Sequence, residues 1–202
     1  VSSRMLASIA ASHGLEHEYT LTGFKWISRV PGLVFGYEEA LGYCVDPQYV
    51  RDKDGISAGV RLALLASQLD DQGDTLGDLL DRLESRHGAH ATNPLTIRVT
   101  DLSRISSVMA ALRVAPPEAL AGSPVVEFAD LSDGWKKLPP TDGLYFLTAA
   151  GDRVVVRPSG TEPKLKCYLE SISKAGNLAA SRAAAKARVE AVRTDLARII
   201  DA

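Results

Sequence analysis

Two β-rich runs, Val154-Val155-Val156 and residues 165–169, stand a short loop apart, and this pairing most constrains the fold. β-branched and aromatic residues fit a pleated, half-buried surface, and a connection this short suits neighbouring antiparallel strands. Around them, 95–100, 125–128 and 144–147 also read as extended. A helix after the N-cap candidate Asp101 carries Ile105, Val108, Met109 and Leu112 inward. A long Ala-rich helix closes the chain, with Val189, Val192, Leu196 and Ile199 stepping by three and four. Strand–helix–strands–helix implies an α+β unit, an antiparallel sheet with helices on one face.

The N-terminal part reads differently. Met5, Leu6 and Ile9 have helical spacing over 4–13, and Gly14 can end that helix. Val1-Ser2-Ser3 looks like the tail of a strand that begins upstream. Residues 18–30, rich in Tyr, Thr, Phe, Trp and Ile, read as extended; Pro31-Gly32 breaks the run, 33–35 restart it, and 36–43 read as a polar loop. A helix over 56–69 is apolar on most sides (Val60, Leu62, Leu64, Leu65) and is expected between layers. Thr75 and Asp78 form a capping-box pattern before Leu76, Leu79, Leu80 and Leu83. Residues 86–94, with His87, Gly88, His90 and Pro94, make the best boundary, dividing the chain into 1–88 (α/β) and 89–202 (α+β).

The formal net charge is −2, so a bound anion must be held by a local site and not by a global field. Two cysteines are too few for a disulfide scaffold and fit a reducing cytoplasm. No apolar run approaches the roughly 18 residues of a membrane span, and no basic-then-apolar leader is seen, so neither membrane nor secretion is expected. Asp52 and Asp54 lack the later ligands of a calcium loop, and the four histidines have no second ligand set, so surface roles are expected for them.

Three segments carry the chemistry. In Arg157-Pro158-Ser159-Gly160-Thr161-Glu162-Pro163, Arg157 offers a planar fork, Ser159 and Thr161 offer hydroxyls, and Gly160 lets backbone N–H groups approach a tetrahedral dianion. Composition alone would equally allow an ordinary hairpin loop with a surface Arg. In Gly36-Tyr37-Glu38-Glu39-Ala40-Leu41-Gly42-Tyr43, adjacent carboxylates suit vicinal sugar hydroxyls, though a solvated acidic turn has the same composition. In Thr22-Gly23-Phe24-Lys25-Trp26-Ile27, Lys25 sits in what reads as an apolar strand, as an acid/base, a phosphate contact, or a side chain snorkelling to the surface.

Taken in order, these segments resemble the α-D-phosphohexomutases, in their phosphoglucomutase/phosphomannomutase branch. The resemblance implies four domains in series, of which this chain corresponds to the latter part of the sugar-recognition domain (1–88, a mixed sheet with helices) and the phosphate-binding C-terminal domain (89–202). It implies that Glu38, Glu39, Gly42 and Tyr43 contact the sugar, with Glu39 matching the family's reading carboxylate. Arg157, Ser159, Gly160 and Thr161 would hold the non-transferring phosphate, with Lys25 near the transferred group. Leu41 and Tyr43 stand where many members have Ser and His, which bears on gluco against manno preference.

Neither a Thr-Ala-Ser-His-Asn-Pro type loop nor an Asp-Gly-Asp-x-Asp-Arg metal loop occurs in the chain. The resemblance therefore implies that the phosphoserine and the Mg²⁺ ligands belong to N-terminal domains of the same protein, and that this portion alone is inactive. With the early strands of the sugar-recognition domain missing, sheet edges and the apolar faces of helix 56–69 are expected to be exposed. The partner is expected to be a hexose phosphate. A stand-alone phosphosugar-binding module is the alternative; nucleic-acid binding through Lys164, Lys166 and Tyr168 is disfavoured by the neutral net charge.

Overall fold

The helical spacing of Met5 and Ile9 is realised in α1 (Met5–Ser12), and Gly14, at φ +66°, turns the chain out of it. α2 (Phe24–Ile27), β1 (Gly36–Glu38), β2 (Gly42–Cys44), α3 (Gly55–Asp70) and α4 (Leu76–His87) follow. β3 (Ala89–Arg98), α5 (Ser103–Val114), β4 (Ala119–Leu120), β5 (Ser123–Asp130), β6 (Leu144–Thr148), β7 (Arg153–Pro158), β8 (Lys164–Ser173) and α6 (Leu178–Asp201) complete the order. This computed structural model describes residues 1–160 and 162–201. The chain forms two compact units, Val1–His87 and Gly88–Ala202.

In the first unit the expected extended run over 18–30 contains no strand; its middle, Phe24–Ile27, is a short helix instead. Phe24 and Ile27, three apart, are both buried against Cys44, with Leu33 packed beside them. Burial at that spacing requires one helical face, and it overrides the β-propensity of the Phe, Trp and Ile side chains. The strand expected over 33–35 begins later, at Gly36, and the expected polar loop over 36–43 is an antiparallel hairpin pairing Gly36 with Cys44, Tyr37 with Tyr43 and Glu38 with Gly42. Val1-Ser2-Ser3 is not a strand.

Asp54 caps α3 by accepting from the Ile56 N–H at 3.0 Å. The capping box of α4 forms as expected: Asp78 Oδ2 accepts from Thr75 N–H at 2.9 Å, and Thr75 Oγ1 accepts from Asp78 N–H at 3.1 Å. α3 is not packed between layers. Leu69 is its buried residue, while Ile56, Val60, Leu62 and Leu64 are more than half exposed, because no element of the unit lies across that face.

The second unit is a six-stranded antiparallel sheet in the order β3-β8-β7-β6-β5-β4. β3 starts at Ala89, six residues before the expected strand, and so absorbs most of the expected boundary. Pro94 is tolerated inside it because β3 is an edge strand, where a missing N–H breaks no ladder. Alternation sends Leu144, Phe146, Val154, Val156, Leu165 and Cys167 to one face, where they meet Met109 of α5 and Val192 and Leu196 of α6. Full burial of each such side chain contributes about 1.5–3 kcal/mol. The other face of β3, β8 and β7 carries the charged residues discussed below.

A buried polar knot fixes the corner. Asp152, 1% exposed, accepts from Thr148 Oγ1 and Ser171 Oγ, both at 2.7 Å, and from Arg188 Nη2 at 2.7 Å. Arg188 also donates to the Ala121 carbonyl at 2.8 Å, tying α6 to the turn after β4. Burial pushes the Asp152 carboxyl up, but the hydrogen bonds from Arg188, Ser171 and Thr148 outweigh it and hold it below the usual carboxylate range.

His87 and His90 are not surface residues as expected. His87 is buried with Nδ1 2.9 Å from Ser8 Oγ, and the His90 ring, 4% exposed, lies 2.9 Å from Glu170 Oε1. Gly88, at φ +100°, lets α4 run almost directly into β3, so the flanking histidines are carried inside by regular structure.

Candidate functional site

Each unit presents one cluster of the residues singled out in the sequence. In the first, β1 and β2 bring Glu38 and Glu39 to the tip of the hairpin. The turn places Leu41 at φ +58°, uncommon for a non-glycine residue, with 84% of its surface exposed. Gly42 is buried, and a Cβ there would meet Phe24 Cε2 at 2.6 Å and Lys53 Cδ at 2.7 Å. Tyr43 is 42% exposed, and its carbonyl accepts from the Asp54 N–H at 2.9 Å, linking the hairpin to the start of α3.

That packing draws in Lys53, a residue the sequence reading did not single out for the site. Its Nζ lies 3.9 Å from Glu38 Oε1, 3.6 Å from Asp52 Oδ1 and 5.0 Å from the centre of the Phe24 ring. The available signal was a Lys next to the N-cap of a helix; its nearness to the hairpin follows only from the fold. Lys25 is placed differently from the expectation. It is exposed on the four-residue α2, with Nζ 5.8 Å from the Trp26 ring centre, and is not sheathed in an apolar strand.

In the second unit Arg157 ends β7 in register with Lys166 of β8, and Pro158 faces Leu165. Ser159 N–H donates to the Lys164 carbonyl at 2.8 Å, and the Pro163 carbonyl accepts from Val99 N–H at 3.1 Å, so the loop is pinned at both ends. Arg157 and Ser159 are half-buried; Gly160 is exposed, and a Cβ there would meet nothing within 4 Å. The chain's own packing therefore does not require glycine at that position. Thr161, expected to supply a hydroxyl, lies outside the described residues.

Alternation adds what the sequence reading of this loop left out. Leu165 and Cys167 point to the core, so Lys164 and Lys166 point to the opposite face, beside Arg157, and Arg98 lies opposite Lys164 on β3. Like charges in direct cross-strand register are unfavourable unless an anion intervenes. Glu162 answers part of this charge by pairing with Lys164 Nζ. That hydrogen bond, with the nearby positive charges of Lys164, Arg98 and Lys166, holds the Glu162 carboxyl below its ordinary range. The arrangement is suited to a small dianion such as a phosphate monoester.

Among the described residues there is no group of three or more His, Cys, Asp or Glu placed to hold a metal ion. No helix is long and apolar enough to cross a membrane.

Two family models match the chain. Residues 1–86 match the family described as phosphoglucomutase/phosphomannomutase, alpha/beta/alpha domain III, and residues 96–199 match the phosphoglucomutase/phosphomannomutase C-terminal domain. A probable phosphomannomutase of Haemophilus influenzae is 48% identical over 174 residues, covering 86% of this chain and 35% of that protein. A phosphopentomutase of Homo sapiens is 34% identical over 201 residues, covering 88% of this chain and 33% of that protein. Among solved structures, parafusin, a phosphoglucomutase from Paramecium in its open form, superposes with a TM-score of 0.74 at 19% identity, covering 98% of this chain and 36% of that one; the likeness is one of fold. The chain thus spans about a third of the length of the relatives it matches. With both of its parts matched in sequence and its fold matched in three dimensions, the chain belongs to the phosphoglucomutase/phosphomannomutase family.

Proposed function

We propose that this chain is the sugar-recognition and phosphate-binding portion of a phosphohexomutase that moves a phosphoryl group between C1 and C6 of a hexose phosphate. The carrying observation is the Arg157–Lys166 cross-strand pair at the base of a loop pinned by Ser159 and Pro163. In this reading residues 1–88 read the sugar and 89–202 hold its phosphate.

Arg157, Ser159, Gly160 and Thr161 bind the phosphate that is not being transferred, and Lys166 adds charge on the same face. Glu39, with Glu38, Gly42 and Tyr43, receives the sugar hydroxyls; an ionised carboxylate accepts only, which suits a polyol. Lys53, and Lys25 on the adjacent α2, supply positive charge near the sugar loop for the transferring phosphoryl group. These residues orient and neutralise, and positioning with electrostatic stabilisation is most of what phosphoryl transfer asks of a protein.

A phosphoserine elsewhere in the longer polypeptide gives its phosphoryl group to the free sugar hydroxyl, and a bisphosphate forms. After reorientation the other phosphoryl group returns to the serine. Mg²⁺, which the family implies, has no ligand cluster among the described residues, and no step assigned to this chain runs through it. A coupled assay of the full-length protein with glucose 1-phosphate, mannose 1-phosphate and ribose 1-phosphate tests the reading. Turnover of a hexose phosphate by the full-length protein, and none by residues 1–202 alone, is expected. Clear turnover by the pure 202-residue chain overturns the division of labour.

A further inference from the structure

The hairpin proposed to read the sugar is too small to hold itself in place. Its ladder has three residues per strand, and two-stranded hairpins are at best marginally stable alone. Its turn also contains Leu41 in the left-handed region, a conformation that persists only when surrounding contacts determine it. The contacts that do so are therefore part of the site's design.

Several of them are made by the residues just ahead of α1. Ser2 Oγ accepts from the backbone N–H of Glu39 at 3.0 Å. The Tyr37 hydroxyl donates to the Ser3 carbonyl at 3.0 Å, and Ser3 Oγ accepts from the N–H of Met5, the first residue of α1, at 3.2 Å. Two of these bonds tie the proposed sugar-reading hairpin to Ser2 and Ser3, and the third ties Ser3 to the start of a helix. Lys53 and Phe24 brace the opposite side of the hairpin through Gly42. Among these contacts, that of the Ser2 hydroxyl is made to the backbone of Glu39 itself.

We propose that Ser2 is a positioning residue for sugar recognition: its hydroxyl fixes the backbone of Glu39, and with Tyr37 and Ser3 it clamps the sugar-reading turn to α1. Ser2 touches no substrate in this account. It acts through Glu39, and the inference rests on the reading of Glu39 given under the proposed function. Because its partner is a backbone N–H, any side chain at position 2 with a hydroxyl on Cβ can serve, so threonine substitutes and alanine does not. Positioning of a group that binds sugar in ground and transition states alike appears in KM, with kcat held.

The test uses the full-length protein with Ser2→Ala, Ser2→Thr, Glu39→Gln and the Ser2→Ala/Glu39→Gln pair. KM for glucose 1-phosphate, inhibition by inorganic phosphate, and Tm are measured for each. Ser2→Ala is expected to raise KM about two- to tenfold, the scale of one net hydrogen bond, with unchanged inorganic-phosphate inhibition. Ser2→Thr is expected to restore KM, and the double variant to be no worse than Glu39→Gln, since the two act on one interaction. An unchanged KM in Ser2→Ala overturns the proposal. So does a loss that falls equally on hexose phosphate and inorganic phosphate, tracks a lower Tm, and is not rescued by threonine. If Glu39→Gln alone leaves hexose-phosphate binding intact, the reading of Glu39 itself is wrong; a loss there with none in Ser2→Ala removes Ser2 and leaves Glu39 in place.

Discussion

The stem of Lys53 lies across Gly42, with Lys53 Cδ standing 2.7 Å from where a Cβ of residue 42 would be. The Phe24 ring closes on the same point, its Cε2 2.6 Å away. One glycine thus lets a cation and an aromatic ring reach the turn end of the hairpin that carries Glu38 and Glu39.

Gly42→Ala is therefore expected to displace both neighbours. Overpacking of this kind costs about 1–3 kcal/mol, read as a lower denaturation midpoint. In the full-length protein kcat/KM for hexose phosphate falls as well. Lys53→Met keeps the stem and removes the charge, so it spares stability and lowers kcat/KM by about tenfold or more, the scale of a charge-assisted contact. Unchanged kinetics in Lys53→Met would take Lys53 out of the site.

Arg157 and Gly160 separate binding from folding in the proposed phosphate loop. An added Cβ at Gly160 meets no atom of the described residues within 4 Å beyond its chain neighbours, so Tm of Gly160→Ala is expected to hold while inhibition by inorganic phosphate weakens. Arg157→Ala raises KM by about ten- to a hundredfold, as loss of one or two charge-assisted hydrogen bonds requires. A Gly160→Ala protein with normal phosphate affinity would mean that the backbone there stays clear of the ligand.

The Asp152–Arg188 knot sets an acid limb on stability. The folded carboxyl lies below its unfolded value, which is about 3.9 for an aspartate, so its contribution is fully present above that pH. It is lost as pH falls through the lower, folded pKa. Chemical denaturation at pH 7 and at about pH 3 should show this loss, and Asp152→Ala should flatten it. Because that variant leaves the Arg188 guanidinium without its counter-charge and the Thr148 and Ser171 hydroxyls without their acceptor, a cost of about 3–5 kcal/mol at pH 7 is expected.

Ile56, Val60 and Leu64 recur every four residues on α3 and are 84%, 55% and 53% exposed. An apolar stripe in water favours association. The isolated 202-residue chain is expected to scatter light at concentrations where Val60→Glu/Leu64→Lys remains monomeric with an undiminished Tm. A monomeric wild-type chain at the same concentration contradicts this.

Local pattern carried the second unit well. The step of three and four in α6 and the alternation of β7 and β8 are each set by one buried face, so residues near in sequence suffice to reveal them. The capping box at Thr75 and Asp78 is likewise local. The first unit was read less well, because burial of Phe24 and Ile27 against Cys44 outweighed the β-propensity of their own segment. The burial of His87 and His90 is not legible in the sequence because nothing in their flanks announces Ser8 or Glu170.

The sequence by itself determined the frame of the proposed phosphate loop: two β-rich runs joined by a short connection carrying Arg, Ser, Gly and Thr can be recognised without distant partners. What only the tertiary structure decided is the company the loops keep. Arg157 gains Lys166 because hairpin register is a pairing between strands, and Glu39 gains Ser2 across 37 positions of sequence. Contacts of that separation are selected by the closure of the whole chain around its cores, a choice that no short window of residues contains.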